Sequence, residues 1–204
     1  MKILLDCSPA KITAYRKRYG EDFGQLRTPG TNYALSDDPA VEWAADNYFY
    51  TDQNVEKWLK WVARFDENRA RRPLFVTMPD IVGDAQRTAE LFEHFKLCTN
   101  ELPRALVLQD GIEHVRIPWG DIKAVFIGGT DKFKISPAAF NAAKTAKALG
   151  KLVHLGRVNT AARVRPWLEL ANTGDGSGMS RFDHMLEDVL AQKRGEHPQQ
   201  ALAV

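Results

Sequence analysis

The sequence predicts an α/β fold, namely a single-domain TIM-type (β/α) barrel that is either complete or trimmed and incomplete. Three observations support this prediction. Short apolar runs recur along the 204 residues without strict alternation, which is typical of parallel strands buried on both faces. Amphipathic helical patterns lie between these runs. Polar or glycine-rich clusters follow the runs, as active-site loops follow barrel strands.

Six apolar runs are predicted strands, at residues 3–5, 43–45, 74–78, 105–108, 124–127 and 152–155, and a seventh is expected near Ala171. Helical spacing predicts helices at about 55–65, 89–99, 139–146, 164–171 and 185–190. This order implies right-handed βαβ connections in a barrel or, alternatively, an open doubly wound sheet. We expect a barrel domain over 1–194, an irregular loop over 20–38 and a flexible tail over 195–204.

The composition excludes several classes of protein. A net charge of +2 does not by itself indicate a nucleic-acid partner. The two cysteines form no CxxC motif, so no metal is expected. Dinucleotide and phosphate-loop motifs are missing, and no cofactor is expected. No apolar run approaches the roughly 20 residues of a membrane helix, and no secretory signal is recognisable, so we expect a cytoplasmic protein without membrane contact.

The clusters that follow the runs supply the candidate site residues. They are Asp46 with Asn47, Asp80, Gln109 with Asp110, Gly128 with Gly129, His154 with Arg157 and Asn159, and the segment from Asn172 to Asp175. Because the carboxyl ends of barrel strands converge on one face, we expect these groups to form one site. Structural roles compete with this interpretation. Asp84 is expected to cap a helix, His154 suits a core position, and Gly128 suits a tight turn.

The ligand implied by these residues is polar and planar. The carboxylates and amide of Asp80, Gln109 and Asp110 match the donors and acceptors along the edge of a heterocycle. The backbone of Gly128 and Gly129 would let a flat ring approach closely, because glycine has no side chain in the way.

Six stretches, taken in order, resemble the tRNA-guanine transglycosylase superfamily. They read WAADN at 43–47, FVTMPDIVGD at 75–84, LQDG at 108–111, FIGGT at 126–130, VHLGRVN at 153–159 and DGS at 175–177. Together they span residues 43–177, about two-thirds of the chain. The chain is most similar to the short branch of phages and genomic islands, whose members exchange guanine in DNA for 7-deazaguanines.

The resemblance implies a (β/α) barrel and a base-exchange reaction. In that reaction a carboxylate attacks C1′, guanine leaves, and the incoming base displaces the enzyme. The resemblance implies that Asp46 is the general base and that Asp80 reads the N–H and amino edge of the base. It also implies that Gln109 and the Gly128-Gly129 backbone contact the carbonyl and ring. The other candidate base-binding residues are Asp110 and His154.

Two departures from the family pattern affect the prediction. The position that matches the family nucleophile is Asn172, whose neutral amide cannot form a glycosyl ester. Either Asp175 substitutes for it, or the local alignment differs, or exchange has been lost. The zinc-binding region of the tRNA enzymes is also missing, which favours DNA over RNA.

We therefore predict a glycosyltransferase that acts on DNA or RNA and takes a free guanine or 7-deazapurine base. The candidate catalytic residues are Asp46, Asp175 and Asn172, and the candidate phosphate contacts are Arg157, Asn159, Arg163 and Arg165. The alternatives are a purine- or nucleotide-binding protein without exchange and an N-glycosidase of free nucleosides. A structural or interaction protein is the third, and it would make the clusters coincidental.

Overall fold

The computed structural model describes residues 1–65, 71–99 and 101–196. Within these residues, parallel strands pair in chain order and the last pairs with the first, so the sheet is a closed barrel. The strands are β1 (Lys2–Leu5), β2 (Gly24–Arg27), β3 (Trp43–Ala45), β4 (Val76–Thr77), β5 (Arg104–Leu108), β6 (Ala124–Ile127), β7 (Leu152–Leu155) and β8 (Thr173–Asp175). The barrel prediction is confirmed in its complete form, and the trimmed and open-sheet alternatives are wrong.

Helices follow most of the strands on the outside of the barrel. They are α1 (Pro9–Tyr19), α2 (Val55–Val62), α3 (Ala85–Phe95), α4 (Pro137–Ala148), α5 (Ala161–Val164), α6 (Ser177–Arg181) and α7 (Asp183–Arg194). Helix α3 begins at Ala85, earlier than its apolar spacing indicates. The reason is that the Asp84 side chain accepts the backbone N–H of Arg87 at 2.9 Å, which confirms the predicted N-cap.

Two strands were not located correctly from the sequence. Strand β2 lies inside the stretch 20–38 that was predicted to be a loop, and it has a buried polar residue, Gln25, at its centre. Gln25 is satisfied locally, because its side chain donates to the carbonyl of Ala34 at 2.8 Å and accepts the N–H of Ser36 at 3.0 Å. Strand β8 has the sequence Thr-Gly-Asp and contains no apolar run. The seventh strand was therefore predicted too early, near Ala171.

The barrel separates two hydrophobic cores. The interior core is small, and much of it is made of alanines and two phenylalanines: Leu4, Leu26, Ala44, Phe75, Ala105, Val107, Ala124 and Phe126. The larger core fills the space between the strands and the surrounding helices. Small residues at interior positions let a short-stranded barrel close while leaving room for side chains at its carboxyl end.

Gly176 holds the loops after β7 and β8 together, and its replacement by Ala is expected to destabilise the fold. A Cβ there would lie 2.3 Å from the carbonyl oxygen of Val158 and 2.4 Å from Oδ1 of Asn159. Such overpacking costs about 1–3 kcal/mol, so thermal denaturation should show a lower midpoint. Gly120→Ala is the control, because its Cβ would meet nothing within 4 Å; an equal loss in both variants would contradict this prediction.

The carboxyl-terminal part of the chain is described only as far as residue 196. Helix α7 ends at Gly195, whose left-handed backbone (φ 73°) closes the helix. The predicted flexible tail over 195–204 therefore lies almost entirely outside the described residues. No helix in the described part of the chain is both long enough and apolar enough to cross a bilayer.

Candidate active site

A cavity of about 480 Å³ opens at the carboxyl ends of the strands. Four aspartates line it, and each lies at or just after the end of a strand: Asp6 after β1, Asp46 after β3, Asp80 after β4 and Asp175 in β8. A second depression of about 500 Å³ lies outside the barrel along α2 and contains none of the predicted site residues. The cavity is therefore the candidate active site.

Asp80 lies on one side of the cavity between two side-chain amides. Its Oδ1 accepts from Nδ2 of Asn47 at 2.7 Å, and its Oδ2 accepts from Nε2 of Gln109 at 2.6 Å. Gln109 is itself fixed, because its Oε1 accepts the N–H of Gly83 at 3.0 Å. Each carboxylate oxygen can accept a further hydrogen bond. Asp80 is thus a rigid acceptor pair presented to the cavity.

Burial changes the protonation of Asp80. It raises the pKa of this carboxyl to about 6, and the hydrogen bonds from Asn47 and Gln109 oppose the rise. The carboxyl is therefore mainly ionised at neutral pH, although it lies in a desolvated position. In that state it accepts hydrogen bonds from a ligand.

Asp46 and Asp175 line the same cavity, and the charge of Asp175 acts on Asp46. Burial raises the pKa of Asp46 to about 7, and the negative charge of Asp175 adds to this rise. The backbone N–H of Tyr48 donates to Oδ1 of Asp46 at 3.1 Å and opposes it. Tyr48 has a left-handed backbone (φ 67°), a conformation that costs free energy and is common at functional sites. Asp46 can therefore exchange a proton near neutrality.

Asp175 is held by the neighbouring strand β7 and the loop that follows it. Its Oδ1 accepts the backbone N–H of Arg157 at 3.0 Å and lies 3.0 Å from Nε2 of His154. Nδ1 of His154 lies 2.8 Å from the hydroxyl of Thr173, which fixes the ring at both nitrogens. His154 and the Arg157 N–H thereby orient the carboxylate, which still lines the cavity.

His154 is not part of the cavity wall. It is fully buried, and its ring centroid lies 5.1 Å from that of Phe75 and 4.5 Å from that of Phe126. The predicted contact between His154 and a base is therefore wrong, because the imidazole has no accessible surface. Its hydrogen bond makes it a positioning residue for Asp175.

Gly128 and Gly129 line the same cavity as Asp46 and Asp175, in agreement with the single site predicted from the sequence. A Cβ at Gly128 would lie 2.5 Å from Cγ1 of Val107 and 3.2 Å from Nε2 of Gln109. Only glycine fits there without displacing the amide that supports Asp80. The structure thus brings together Asp46, Asp80, Gln109, Gly128, Gly129, Arg157 and Asp175 from the predicted set.

Asn172 lies at the opposite end of the barrel, where β8 begins. It is exposed, and its Oδ1 accepts the backbone N–H of Val153 at 2.8 Å. The predicted catalytic role of Asn172 is therefore wrong, because three residues of extended strand, about 10 Å, carry the chain from that end to Asp175. The residue of this segment that lines the cavity is Asp175.

Three further predicted residues have structural partners instead. Asp110 accepts the N–H and hydroxyl of Thr130, at 2.9 and 2.6 Å, and does not line the cavity. Asn159 accepts the N–H of Gly178 at 2.7 Å. Arg163 pairs with Asp131 at 2.5 Å.

Of the predicted phosphate contacts, the structure brings only Arg157 to the cavity. Arg165 is exposed on a 3₁₀ turn and, like Asn159 and Arg163, is not part of the cavity wall. Arg157 has φ 57°, and its guanidinium carbon lies 3.1 Å from the ring centroid of the exposed Tyr50. This stacked pair stands at the cavity mouth, where Lys11 and Arg181 add positive charge.

Sequence reasoning missed Asp6, Thr77 and Lys134. Asp6 directly follows β1 and could have been found by the rule that located Asp46. Thr77 lies in β4 and lines the cavity, and its buried hydroxyl has no hydrogen-bond partner among the described residues. Lys134 lies seven positions beyond β6, in a surface-like stretch, so nothing in the sequence indicated that it is buried.

Replacing Asp46 with Asn is expected to stabilise the fold at pH 8 but not at pH 4. The ordinary pKa of this carboxyl is 3.8, whereas the folded value is about 7. The folded state therefore binds more protons between these values, and stability falls as the pH rises through this window. The amide removes that loss, which amounts to about 1.4 kcal/mol for each unit by which the pKa is raised. Thermal denaturation at both pH values, with exposed Asp188→Asn as control, measures the difference; a lower midpoint at pH 8 would contradict it.

Comparisons with known proteins define the fold and nothing finer. No family model and no curated protein matches the chain. The Amycolatopsis orientalis BexX/CysO complex is 12% identical over 98% of this chain and 94% of that chain (TM-score 0.52). A mutant flavocytochrome b2 with benzoylformate is 11% identical over 96% of this chain and 63% of that chain, with a TM-score of 0.56. A mandelate oxidase mutant is 13% identical over 95% of this chain and 73% of that chain, with a TM-score of 0.53.

These likenesses identify the chain as a TIM-type barrel. At such identities they show the shared architecture alone, and the chain spans only 63% of the flavocytochrome structure. In the described residues, no group of three or more His, Cys, Asp or Glu side chains is placed to hold a metal ion. Inferences about chemistry therefore depend on the cavity itself.

Proposed function

We propose that this chain is a base-modifying transglycosylase that exchanges guanine in DNA for a 7-deazaguanine-type base. One observation carries the proposal. The same cavity holds a carboxylate that is fixed between two amides, Asp80, and two further carboxylates, Asp46 and Asp175. The first suits recognition of a base edge, and the other two suit chemistry at a sugar carbon. The family motifs quoted above supply the identity of the base.

Recognition of guanine follows from the acceptors at Asp80. Guanine presents an N–H and an amino group side by side, and the free lone pairs of the Asp80 oxygens match both donors. Gly128 lies next to Gln109, and neither Gly128 nor Gly129 puts a side chain into the cavity, so a planar ring can lie against their backbone. The unpartnered hydroxyl of Thr77 offers one more hydrogen bond inside the cavity.

Exchange requires a nucleophile and a proton carrier. In the proposed reaction an Asp175 oxygen bonds to C1′ as the C1′–N9 bond breaks, and the electron pair of that bond passes to guanine. The departing guanine takes a proton, which Asp46 supplies and later recovers from the incoming base. The incoming base then displaces the Asp175 carboxylate from C1′. His154 and the Arg157 N–H keep that carboxylate in place throughout.

A base in duplex DNA reaches such a cavity only if its nucleotide is flipped out or already single-stranded. The stacked pair of Arg157 and Tyr50, together with Lys11 and Arg181, places cations and an aromatic face at the mouth. These groups suit contact with phosphates and neighbouring bases.

The alternative of a binding protein without exchange was based on Asn172. Asn172 lies at the other end of the barrel, so it no longer supports that alternative.

Incorporation of labelled base tests the proposal. The protein is incubated with labelled guanine and, in parallel, with duplex DNA, single-stranded DNA, tRNA or free deoxyguanosine. Digested nucleosides are then analysed by mass spectrometry. Label in DNA is the expected result. Label in tRNA alone would contradict the choice of polymer, and base release from the free nucleoside alone would favour an N-glycosidase. No reaction with any substrate would contradict the proposal.

A further inference from the structure

The loop after β6 inserts a lysine into the cavity. The N–H of Lys134 donates to the carbonyl of Thr130 at 3.1 Å, and the carbonyl of Lys134 accepts from Nε1 of Trp167 at 3.2 Å. Phe133 beside it packs into the outer core. These contacts fix the backbone, so the Lys134 side chain turns inward. Only 8% of the residue is exposed, although lysine is rarely buried.

The amine of Lys134 has an unusual environment. Its Nζ donates to the carbonyl of Gly156 at 2.6 Å, and no described carboxylate lies within ion-pairing distance of it. Burial lowers its pKa to about 8. Arg157 and Arg163 lower it further, while Asp175 and Asp131 oppose the change. A large fraction of the amine is therefore neutral just above physiological pH, and a neutral amine is a nucleophile.

A purely structural role explains these observations less well. A lysine that served only to satisfy the Gly156 carbonyl would bury a charge without a counter-ion, which is costly. The same amine lines the cavity that contains Asp46 and Asp175, where a sugar carbon would be placed if the proposed function is right.

We infer that Lys134 forms an imine with an aldehyde ligand in this cavity, specifically with the C1′ aldehyde of a ring-opened abasic deoxyribose in DNA. The inference rests on the proposed function for the identity of the aldehyde. The neutral amine forms a C–N bond to C1′ and gives a carbinolamine. The hydroxyl of the carbinolamine takes a proton from a cavity carboxyl and leaves as water, which forms a C=N bond with a protonated nitrogen. That N–H proton returns to the carboxylate and leaves the neutral imine. Addition of water reverses these steps and releases the aldehyde.

Such an imine would give the protein a second activity, the reversible capture of abasic sites. These sites arise when a glycosyl bond breaks and water, instead of an incoming base, reaches C1′. The buried amine is in the same cavity, so it can hold the resulting aldehyde before the DNA strand is released.

Reductive trapping tests the inference. Single-stranded DNA with one abasic site, prepared in advance by uracil excision, is mixed with the protein and sodium cyanoborohydride. Hydride adds to the imine carbon and converts the imine into a stable secondary amine. Denaturing gels and peptide mapping then locate the adduct. We expect it at Lys134 in the wild-type protein, with a rate that rises between pH 6 and 8.

Two variants sharpen this test. Lys134→Arg is expected to reduce the adduct at least about tenfold, because a guanidinium does not form imines. Lys132→Arg, an exposed position on the same loop, should trap as the wild type does. Adducts spread over surface lysines, no adduct, or an unchanged yield in Lys134→Arg would overturn the inference. Peptide mapping of the wild type decides the matter even if Lys134→Arg fails to fold.

The outcome separates the inference from the proposed function. The abasic DNA is made before the protein is added, so trapping requires no base exchange. An adduct at Lys134 without label incorporation from guanine would support the imine and contradict the transglycosylase. Incorporation of label without an adduct would support the transglycosylase and contradict the imine.

Discussion

Replacing Asp175 with Asn is expected to reduce base exchange by roughly 10³-fold or more, because the amide cannot form the ester to C1′. The fold should survive, since the amide oxygen still accepts the backbone N–H of Arg157 that the carboxylate accepts at 3.0 Å. Affinity for free guanine should change little, because the proposed function assigns recognition of the base to Asp80 and Gln109. The measurement is the initial rate of labelled guanine incorporation at saturating base, beside the equilibrium affinity for guanine.

The pH dependence of Asp46 gives this prediction a second readout. The negative charge of Asp175 adds to the burial that raises the pKa of Asp46, so the variant should titrate Asp46 at a lower pH. Asp188→Asn on α7 is the matched control, since it removes a carboxylate of the same size from an exposed position. Exchange that persists at more than about a tenth of the wild-type rate would contradict the role of Asp175 as nucleophile.

Replacing Asp80 with Asn is expected to weaken guanine binding by about 100-fold, the loss expected when a buried charge-assisted hydrogen-bond acceptor is removed. The new amide nitrogen would face either Nδ2 of Asn47 or Nε2 of Gln109, which now lie 2.7 and 2.6 Å from the carboxylate oxygens. A donor would then oppose a donor, and the acceptor pair that reads the base edge would be lost.

Calorimetric titration with guanine and hypoxanthine measures this effect. Hypoxanthine lacks the amino group, so the wild-type protein should prefer guanine and the Asp80→Asn protein should lose that preference. Asp188→Asn again serves as the control. An unchanged preference in Asp80→Asn would show that the base edge is read elsewhere in the cavity.

Much of the architecture could be predicted because parallel strands buried on both faces leave continuous apolar runs. The same geometry placed Asp46, Asp80 and Gln109 together, since each follows such a run. Strands β2 and β8 escaped detection because Gln25 is buried through side-chain hydrogen bonds and β8 contains no large apolar residue. Asn172 and Asp175 lie at opposite ends of β8, so the residue matched to the family nucleophile from the sequence lies at the end away from the cavity.

The polar contacts of the cavity could not be predicted from spacing. Gln109 follows β5, whereas His154 lies inside β7 and pairs with Phe126, which in turn pairs with Val107. The imidazole therefore lies one layer below Gln109, beside Phe75 and Phe126. The burial of Lys134 depends on contacts with Thr130 and Trp167 that the linear pattern does not encode. The depth of a residue along its strand, which the apolar runs do not define, separates the buried His154 from Gln109 in the cavity wall.

The stoichiometry of exchange tests the central claim most directly. DNA containing unlabelled guanine is incubated with an excess of labelled guanine, and released and incorporated bases are counted in the same reaction. We expect one guanine to be released for each label incorporated, with both events lost in Asp175→Asn and retained in Asp188→Asn. Release without incorporation, or neither event in the wild-type protein, would contradict base exchange in this cavity.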